Sequence, residues 1–370
     1  PPPGVEWFDL KVAGGVVLDA ASRALLPELA RLAESVHARG GVNFTGRLVG
    51  DADGARLSGS VDAGKLALTV GEVVAKPAGH PATVRVQLSM PADLSLVQVP
   101  ELSAEVGAAT ISLVGEYPLL GDGPISARLA VKVPALEKLA ELSPLLATCK
   151  LAGGAEVELT GSRRQGRNII SFARLTARNA RGSFRGKPCR LDGTIELSDV
   201  TWTRRSVTVG RAATESLAWA VGSSGGFVAA DLSGLPERAA GTAKVVCHRV
   251  DLPELMRWAA PQTPLLNPAK LTPADRKSLT ARADKLLGNA GELFRRADLR
   301  IVLKADTFRT FDTMVRAFYE VRDLKVRATV KAGKVNAGYR CGLNGGGMDF
   351  LFDVDLNQPR PRLATRAELD

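Results

Sequence analysis

The stretch that decides the fold spans residues 324–331 and reads LKVRATVK. Its apolar side chains alternate with charged or polar ones, which is the period of a β-strand with one side buried. A second stretch, residues 348–356, reads MDFLFDVDL and follows a similar pattern. Both predict antiparallel strands, because strands of a parallel sheet are buried on both faces and read as continuous apolar runs.

The same alternation extends outward over most of the chain. It recurs at residues 84–90, 128–133, 156–160 and 299–303. Turn-forming residues separate these runs, as in Gly50-Asp51-Ala52-Asp53-Gly54 and at residues 121–124 and 345–347. We therefore expect a mainly β fold with a few helices, built as an elongated, curved antiparallel sheet that forms an open groove or is partly closed.

Helical patterns are few. Residues 20–38 have apolar positions at helical spacing before Gly40-Gly41, residues 136–146 predict a short helix, and the proline-rich residues 252–296 predict a helical insertion or connector, with a helix start at Thr272-Pro273. The expected organisation is a β-rich module with an N-terminal helix (1–133), a second β module (134–250), the helical insertion (251–297) and a C-terminal β module (298–370). A weak repeat relates Leu151-Ala152-Gly153 to Leu191-Asp192-Gly193.

Residues with catalytic potential are scattered. The three histidines are far apart in the sequence, and none of the four cysteines forms a C-x-x-C pair. Asp349, Asp353 and Asp355 fall on the polar side of one predicted strand, as solvated carboxylates do. No nucleophile elbow, phosphate-binding loop or dinucleotide fingerprint is present. We expect no enzyme, no cofactor and no metal site. We expect the cysteines to be buried free thiols, with a disulfide between Cys149 and Cys189 as the alternative.

The charge distribution favours anionic partners. Lys and Arg number 49 against 39 Asp and Glu, and no acidic residue lies between Arg163 and Arg190. This basic stretch predicts contact with lipid headgroups or an anionic membrane surface, with a solvated basic surface as the alternative. Nucleic acid is not expected, because stacking aromatics are sparse and no nucleic-acid-binding motif is present. The candidate residues are Arg163, Arg164, Arg167, Arg174, Arg178, Arg181 and Arg185.

The apolar sides of the predicted strands are the second candidate site. A one-sided sheet with few helices must close on itself, stack on another sheet or bind something apolar. Acyl chains would meet the last requirement, whereas the core of a sandwich or barrel would meet the others. The candidates for lipid contact are Val84, Val86, Leu88, Met90, Leu324, Val326, Met348, Phe350, Phe352 and Val354.

The glycine and apolar phrasing of residues 298–370 points to a family. A strand at 299–304, a second strand and turn at 321–335, a glycine-rich crossing at 343–347 and the run FDVDL at 352–356 follow one another. This order resembles the C-terminal region of the AsmA family of bacterial envelope proteins. The sequence VDLPEL at 250–255 and the strand patterns between Leu151 and Leu197 also resemble sequences of this family.

The resemblance implies a function without catalytic residues. Related TamB-like and bridge-like lipid transfer proteins imply that phospholipid is bound or transferred along an apolar groove of the sheet, in support of outer-membrane homeostasis. The alternative is a scaffold that binds no lipid and assists outer-membrane protein assembly through envelope protein partners.

The resemblance also implies a place in the cell. No run reaches the ~18 apolar residues that a membrane-spanning helix needs, and the chain opens with Pro1-Pro2-Pro3-Gly4. We therefore expect a fragment of a periplasmic or cell-envelope protein, anchored in the inner membrane through a segment outside it.

Overall fold

Strand predominates wherever the computed structural model describes the chain. The described residues form 20 strands and a few short helices, so the expected mainly β, antiparallel fold is confirmed. They are 8–18, 36–70, 74–119, 125–164, 167–203, 207–259, 294–312, 317–343, 346–357 and 362–369. The chain divides into two compact units, residues 1–183 with 200–206 and residues 184–199 with 207–370. The finer division into four modules stays a prediction.

The first unit is a meander of long antiparallel strands. Strands β1, β2, β3, β6, β7, β8, β9, β10 and β11 pair in that order, while β4 pairs with β5 and with the start of β2. Their bounds are β1 (Phe8–Leu18), β2 (Val36–Asp51), β3 (Gly54–Asp62), β4 (Leu66–Val70), β5 (Val74–Lys76), β6 (Ala82–Pro91), β7 (Leu96–Val106), β8 (Ala109–Pro118), β9 (Ile125–Val133), β10 (Ala152–Arg164) and β11 (Arg167–Phe184).

The turns of the first unit are closed by polar contacts. At the predicted turn between β2 and β3, the Asp51 carboxylate accepts hydrogen bonds from the N–H groups of Asp53 (2.9 Å) and Gly54 (3.1 Å). Beside β4, the buried ammonium of Lys76 donates to the carbonyl oxygens of Leu66 (2.6 Å) and Ala63 (2.9 Å). Burial lowers the pKa of Lys76. The predicted turn at residues 121–124 lies outside the described residues.

Two helix predictions in this unit need correction. Residues 36–38 belong to β2, where Val36 pairs with Val70, so the end of the helix predicted at 20–38 is wrong. Gly40 lies inside this strand with φ +121°, against the carbonyl of Lys65, instead of stopping a helix. His37 is consequently a strand residue paired with Thr69. The remainder of that helix prediction lies outside the described residues.

The helix predicted at 136–146 is present as two shorter helices. A 3-10 helix spans Leu136–Glu141, and α1 spans Pro144–Thr148. Ser143 separates them because its hydroxyl oxygen accepts a hydrogen bond from the N–H of Leu146 (3.3 Å), and Pro144 occupies the first helical position.

The second unit contains one parallel pair in an otherwise antiparallel sheet. Strands β13 to β20 pair in sequence order, and only β15 and β16 run parallel among the described pairings. The strands are β12 (Lys187–Trp202), whose last residues fall in the first unit, β13 (Val207–Val221), β14 (Ser224–Leu235), β15 (Ala240–Asp251), β16 (Asp298–Asp312), β17 (Ala317–Lys331), β18 (Lys334–Leu343), β19 (Gly346–Asp355) and β20 (Arg362–Leu369).

The parallel pair explains the predicted helical insertion. Parallel neighbours cannot be joined by a hairpin, so the chain has to return from the end of β15 to the start of β16. The described ends of this crossover are helical, with α2 at Leu252–Ala259 and a helical turn at residues 294–296. The predicted helix start at Thr272-Pro273 lies outside the described residues.

Buried polar groups hold the start of the crossover. The Asp251 carboxylate accepts hydrogen bonds from the N–H of Glu254 (2.9 Å) and from the guanidinium of Arg309 (3.2 Å). The Asp251 N–H in turn donates to the hydroxyl of Ser224 (2.8 Å), which is 1% exposed. Asp251 therefore begins α2 and ties it to β14 and β16.

The two copies of the weak sequence repeat each contain a glycine with positive φ that lies against a neighbouring strand. Gly153 (φ +93°) lies against the carbonyl of Asn179, and Gly193 (φ +135°) lies against the carbonyl of Ser216. Because a side chain at either position would clash with the neighbouring strand, both positions require glycine.

Candidate functional site

The apolar residues of the second unit converge on one side of its sheet. Strand register places them opposite one another, since Leu303 faces Val326, Val326 faces Tyr339, and Tyr339 faces Phe350. We call this side the apolar face. It comprises Leu299, Ile301 and Leu303 of β16, Leu324, Val326 and Val330 of β17, Val335, Tyr339 and Cys341 of β18, and Met348, Phe350, Phe352 and Val354 of β19.

An aromatic cluster lies on β18 and β19 of the apolar face. The rings of Tyr339 and Phe350 are stacked with centroids 4.7 Å apart, and the rings of Tyr339 and Phe352 lie 5.7 Å apart. Burial, followed by the nearby Cys341 thiol, raises the pKa of the Tyr339 hydroxyl. All three rings are half-buried, so one side of the cluster still meets solvent.

Helical residues cover only parts of this face within the described chain. Leu255 of α2 packs on the cluster formed by Cys247, Val250, Ala305, Leu324 and Cys341. Phe294 packs on a second cluster of Ala239, Ala297 and Val330. Both contacts come from the two described ends of the crossover, and the other side chains of these clusters belong to the sheet and its turns.

The first unit repeats the arrangement. Leu48, Leu57 and Leu88 are register neighbours on β2, β3 and β6. A second row continues from Val86 through Leu102, Leu113, Leu129 and Leu159 to Ala173, across β6 to β11. Val84 and Met90 lie on the same side of β6 and are half-buried, whereas Leu57 is 37% exposed. The four lipid-contact candidates of this unit therefore share one apolar sheet face.

Large apolar side chains are incompletely buried on the apolar faces of both units. The apolar residues that reach full burial in the described chain are all Ala, Val, Leu or Cys, and none is aromatic. A sheet packed against a second layer normally buries its aromatic side chains, because they supply the largest apolar area. The described apolar faces of the two units therefore resemble binding surfaces more than the core of a completed sandwich.

The opposite, polar face of the second unit is organised by ion pairs. Arg340 and Asp349 form a bidentate pair at 2.7 Å, and the guanidinium lowers the pKa of that carboxyl. Asp353 accepts a hydrogen bond from Asn336 (2.6 Å), and Asp355 accepts one from the N–H of Asn357 (3.0 Å). The three aspartates thus lie on the polar side, and each of them has a hydrogen-bond donor.

The predicted basic cluster is partly neutralised by the preceding strand. Arg174 lies 3.6 Å from Glu158, and Arg178 lies 3.2 Å from Glu156. Both glutamates belong to β10 and precede Arg163, so the sequence stretch 163–190 did not include them. Arg163 and Arg181 are exposed, Arg185 lies over the Phe184 ring (5.3 Å), and the side chains of Arg164 and Arg167 lie outside the described set.

The cysteines and histidines do not assemble into a catalytic group in the described chain. Cys247 is 1% exposed on the apolar side, while His248 points to the opposite side and contacts Asp306 (3.3 Å). None of the four cysteines forms a disulfide; Cys149 and Cys189 are half-buried, and only Cys247 and Cys341 match the predicted buried thiols. No three His, Cys, Asp or Glu side chains among the described residues converge as metal ligands. None of the described helices has the length and apolarity to cross a membrane.

Fold and site together define a mainly β protein whose sheet has one apolar and one charged face. Comparisons with protein-family models, with curated protein sequences and with solved structures gave no match.

Proposed function

We propose that the chain binds phospholipid, with the acyl chains lying along the apolar face of its sheet. The observation that carries the proposal is the half-buried aromatic cluster of Tyr339, Phe350 and Phe352, which lies among apolar side chains in four strands. Acyl chains gain roughly 0.8 kcal/mol for each methylene group that they bury. A row of apolar side chains that continues from strand to strand suits a long, flexible ligand better than a compact one.

We further propose that this lipid binding serves transfer in the cell envelope and supports outer-membrane homeostasis. The support is the resemblance of residues 298–370 to the AsmA family, together with net charge +10, which favours contact with anionic membranes. Membership of that family, a periplasmic location and an inner-membrane anchor belong to the same proposal.

The test is native mass spectrometry of the purified chain with extraction of bound lipid. We expect phospholipid in stoichiometric amount with the wild type and its loss in Phe352→Glu, because a carboxylate on the apolar face repels acyl chains. Phe227→Glu is the matched control, because Phe227 on β14 is 45% exposed on the side of the sheet opposite to the apolar face.

Two results would overturn the proposal. The first is a clean apo mass under gentle conditions, which would favour the scaffold that assists outer-membrane protein assembly, to be sought by crosslinking in envelopes. The second is an equal lipid content in Phe352→Glu and Phe227→Glu, provided that circular dichroism shows both variants folded.

A further inference from the structure

The polar face of the second unit carries its charges in rows that run across the strands. One row is balanced, because register places Asp298, Lys331, Lys334 and Asp355 side by side on β16 to β19. The two lysines of this row face each other, and each is opposed by an aspartate on its other side. This row shows how the sheet compensates directly opposed cations.

A second row lacks this compensation. Lys304 faces Lys325, and Lys325 faces Arg340, so three cations are adjacent on β16, β17 and β18. Like charges directly opposite in a sheet are destabilising. The acidic groups at neighbouring positions are already engaged, Asp349 with Arg340 and Asp306 with His248. Within the described chain, neither lysine has an acidic partner.

A depression opens beside these lysines. It has a volume of about 580 Å³ and lies around Gly338, whose missing side chain leaves Leu351 half exposed. Arg327 faces Gly338 across β17 and β18, and it too has no acidic partner in the described part of the chain. The cations that line the depression are Lys325, Arg327, Arg340 and Arg366; the last two are paired with Asp349 and Glu368, which line it as well.

We propose that a ligand carrying phosphate groups binds at the edge of this depression, held by Lys325 and Arg327, which line it, and by Lys304, which faces Lys325 from the next strand. Directly opposed residues of a sheet are separated by roughly 5 Å and alternate residues of a strand by roughly 7 Å, so the three cations can share one oxyanion or two linked ones. Phosphate fits because each group presents several acceptor oxygens to ammonium and guanidinium donors. The three cations lie on the face opposite to the proposed acyl-binding surface, so the proposal does not depend on lipid binding there.

The ligand chemistry has two sources, a soluble phosphate compound and a phospholipid headgroup. Pyrophosphate measured by titration calorimetry tests the first, and recruitment to phosphatidylglycerol vesicles, compared with phosphatidylcholine vesicles, tests the second. We expect the double variant Lys304→Gln/Lys325→Gln to weaken whichever binding occurs by about 20- to 30-fold at low salt, from roughly fivefold for each basic residue.

The matched control is Lys331→Gln/Lys334→Gln, which also removes two positive charges from neighbouring strands, but from the balanced row. We expect this control to stay within about threefold of the wild type, since its lysines are compensated by aspartates. Binding of neither probe, or equal weakening by the two double variants, would overturn the proposal. Loss of phosphate binding with unchanged lipid co-purification would leave the acyl-binding proposal intact. Phosphate binding without lipid co-purification would overturn the acyl-binding proposal and support the phosphate site.

Discussion

Glu254 connects three parts of the second unit through one carboxylate. It accepts hydrogen bonds from Lys187 (2.8 Å) on β12 and from the hydroxyl (2.6 Å) and N–H (2.9 Å) of Ser223 in the β13–β14 turn. These bonds, with Lys187 first, lower the pKa of Glu254 to about 2. A single acidic residue therefore joins the crossover to the sheet.

The low pKa predicts acid sensitivity. The stabilisation by Glu254 is fully present above its unfolded pKa of about 4.5 and is lost as the pH falls through about 2. Glu254→Gln should lower the free energy of unfolding by about 1–3 kcal/mol at pH 7, and this difference should shrink towards pH 2. Urea unfolding followed by circular dichroism measures it, with the exposed Glu237→Gln as the control. A difference that does not change with pH would contradict this role of the carboxylate.

The buried position of Lys76 predicts a second effect of a single residue on stability. Its buried ammonium donates to carbonyl groups around β4, so Lys76→Met keeps the apolar stem but leaves those acceptors without a donor. We expect a loss of about 1–3 kcal/mol of stability at pH 7. Lys65→Met removes an exposed lysine from the turn between β3 and β4, beside the carbonyl groups that Lys76 contacts, and should have little effect in the same thermal or urea melt. Equal effects of the two substitutions would exclude a specific role for Lys76.

At the scale of the element, the two sides of each strand differ in chemistry. Cys247 and Cys341 lie on the apolar side of β15 and β18, and burial raises the pKa of both thiols. Cys149 and Cys189 are half-buried. In the native protein a thiol reagent should therefore label Cys149 and Cys189 fast and Cys247 and Cys341 slowly, because the thiolate is the reacting species.

The assignment is checked by substitution. Cys149→Ser/Cys189→Ser should remove the fast phase of labelling, whereas Cys247→Ser should leave it unchanged. Four equal labelling rates in the folded protein would show that the apolar sides of β15 and β18 are open to the reagent.

The element scale is also where sequence reasoning succeeded most. Alternation predicted β6, β17 and β19 because a strand with one polar side shows its period within a few residues. It misassigned Val36 to a helix, since the pairing of β2 with β4 depends on Val70, which lies more than a helix length away in sequence. The helix at 136–146 was located, but the break at Ser143 was not predicted.

At the scale of the whole molecule, what the sequence did not reveal is which charges meet. Arg178 was predicted as part of an open basic cluster, but register brings Glu156 to it from the preceding strand. Lys304 and Lys325 lie on two strands joined by one hairpin; the sequence pattern did not predict that they face each other, as strand register shows. Strand register is set by the summed pairing of many residues, and a local pattern does not contain it.

The parallel pair β15–β16 has a consequence for how the chain folds. Its partners are 58 positions apart, as Ala240 and Asp298 are, whereas the hairpins on either side join close neighbours in sequence. Closing a long loop lowers the entropy of the chain before any stabilising contact forms, so non-local strand pairing is slow. We expect the hairpins on each side to form early and their junction to form last, and an interrupted folding reaction would then expose the edges of β15 and β16 to other chains.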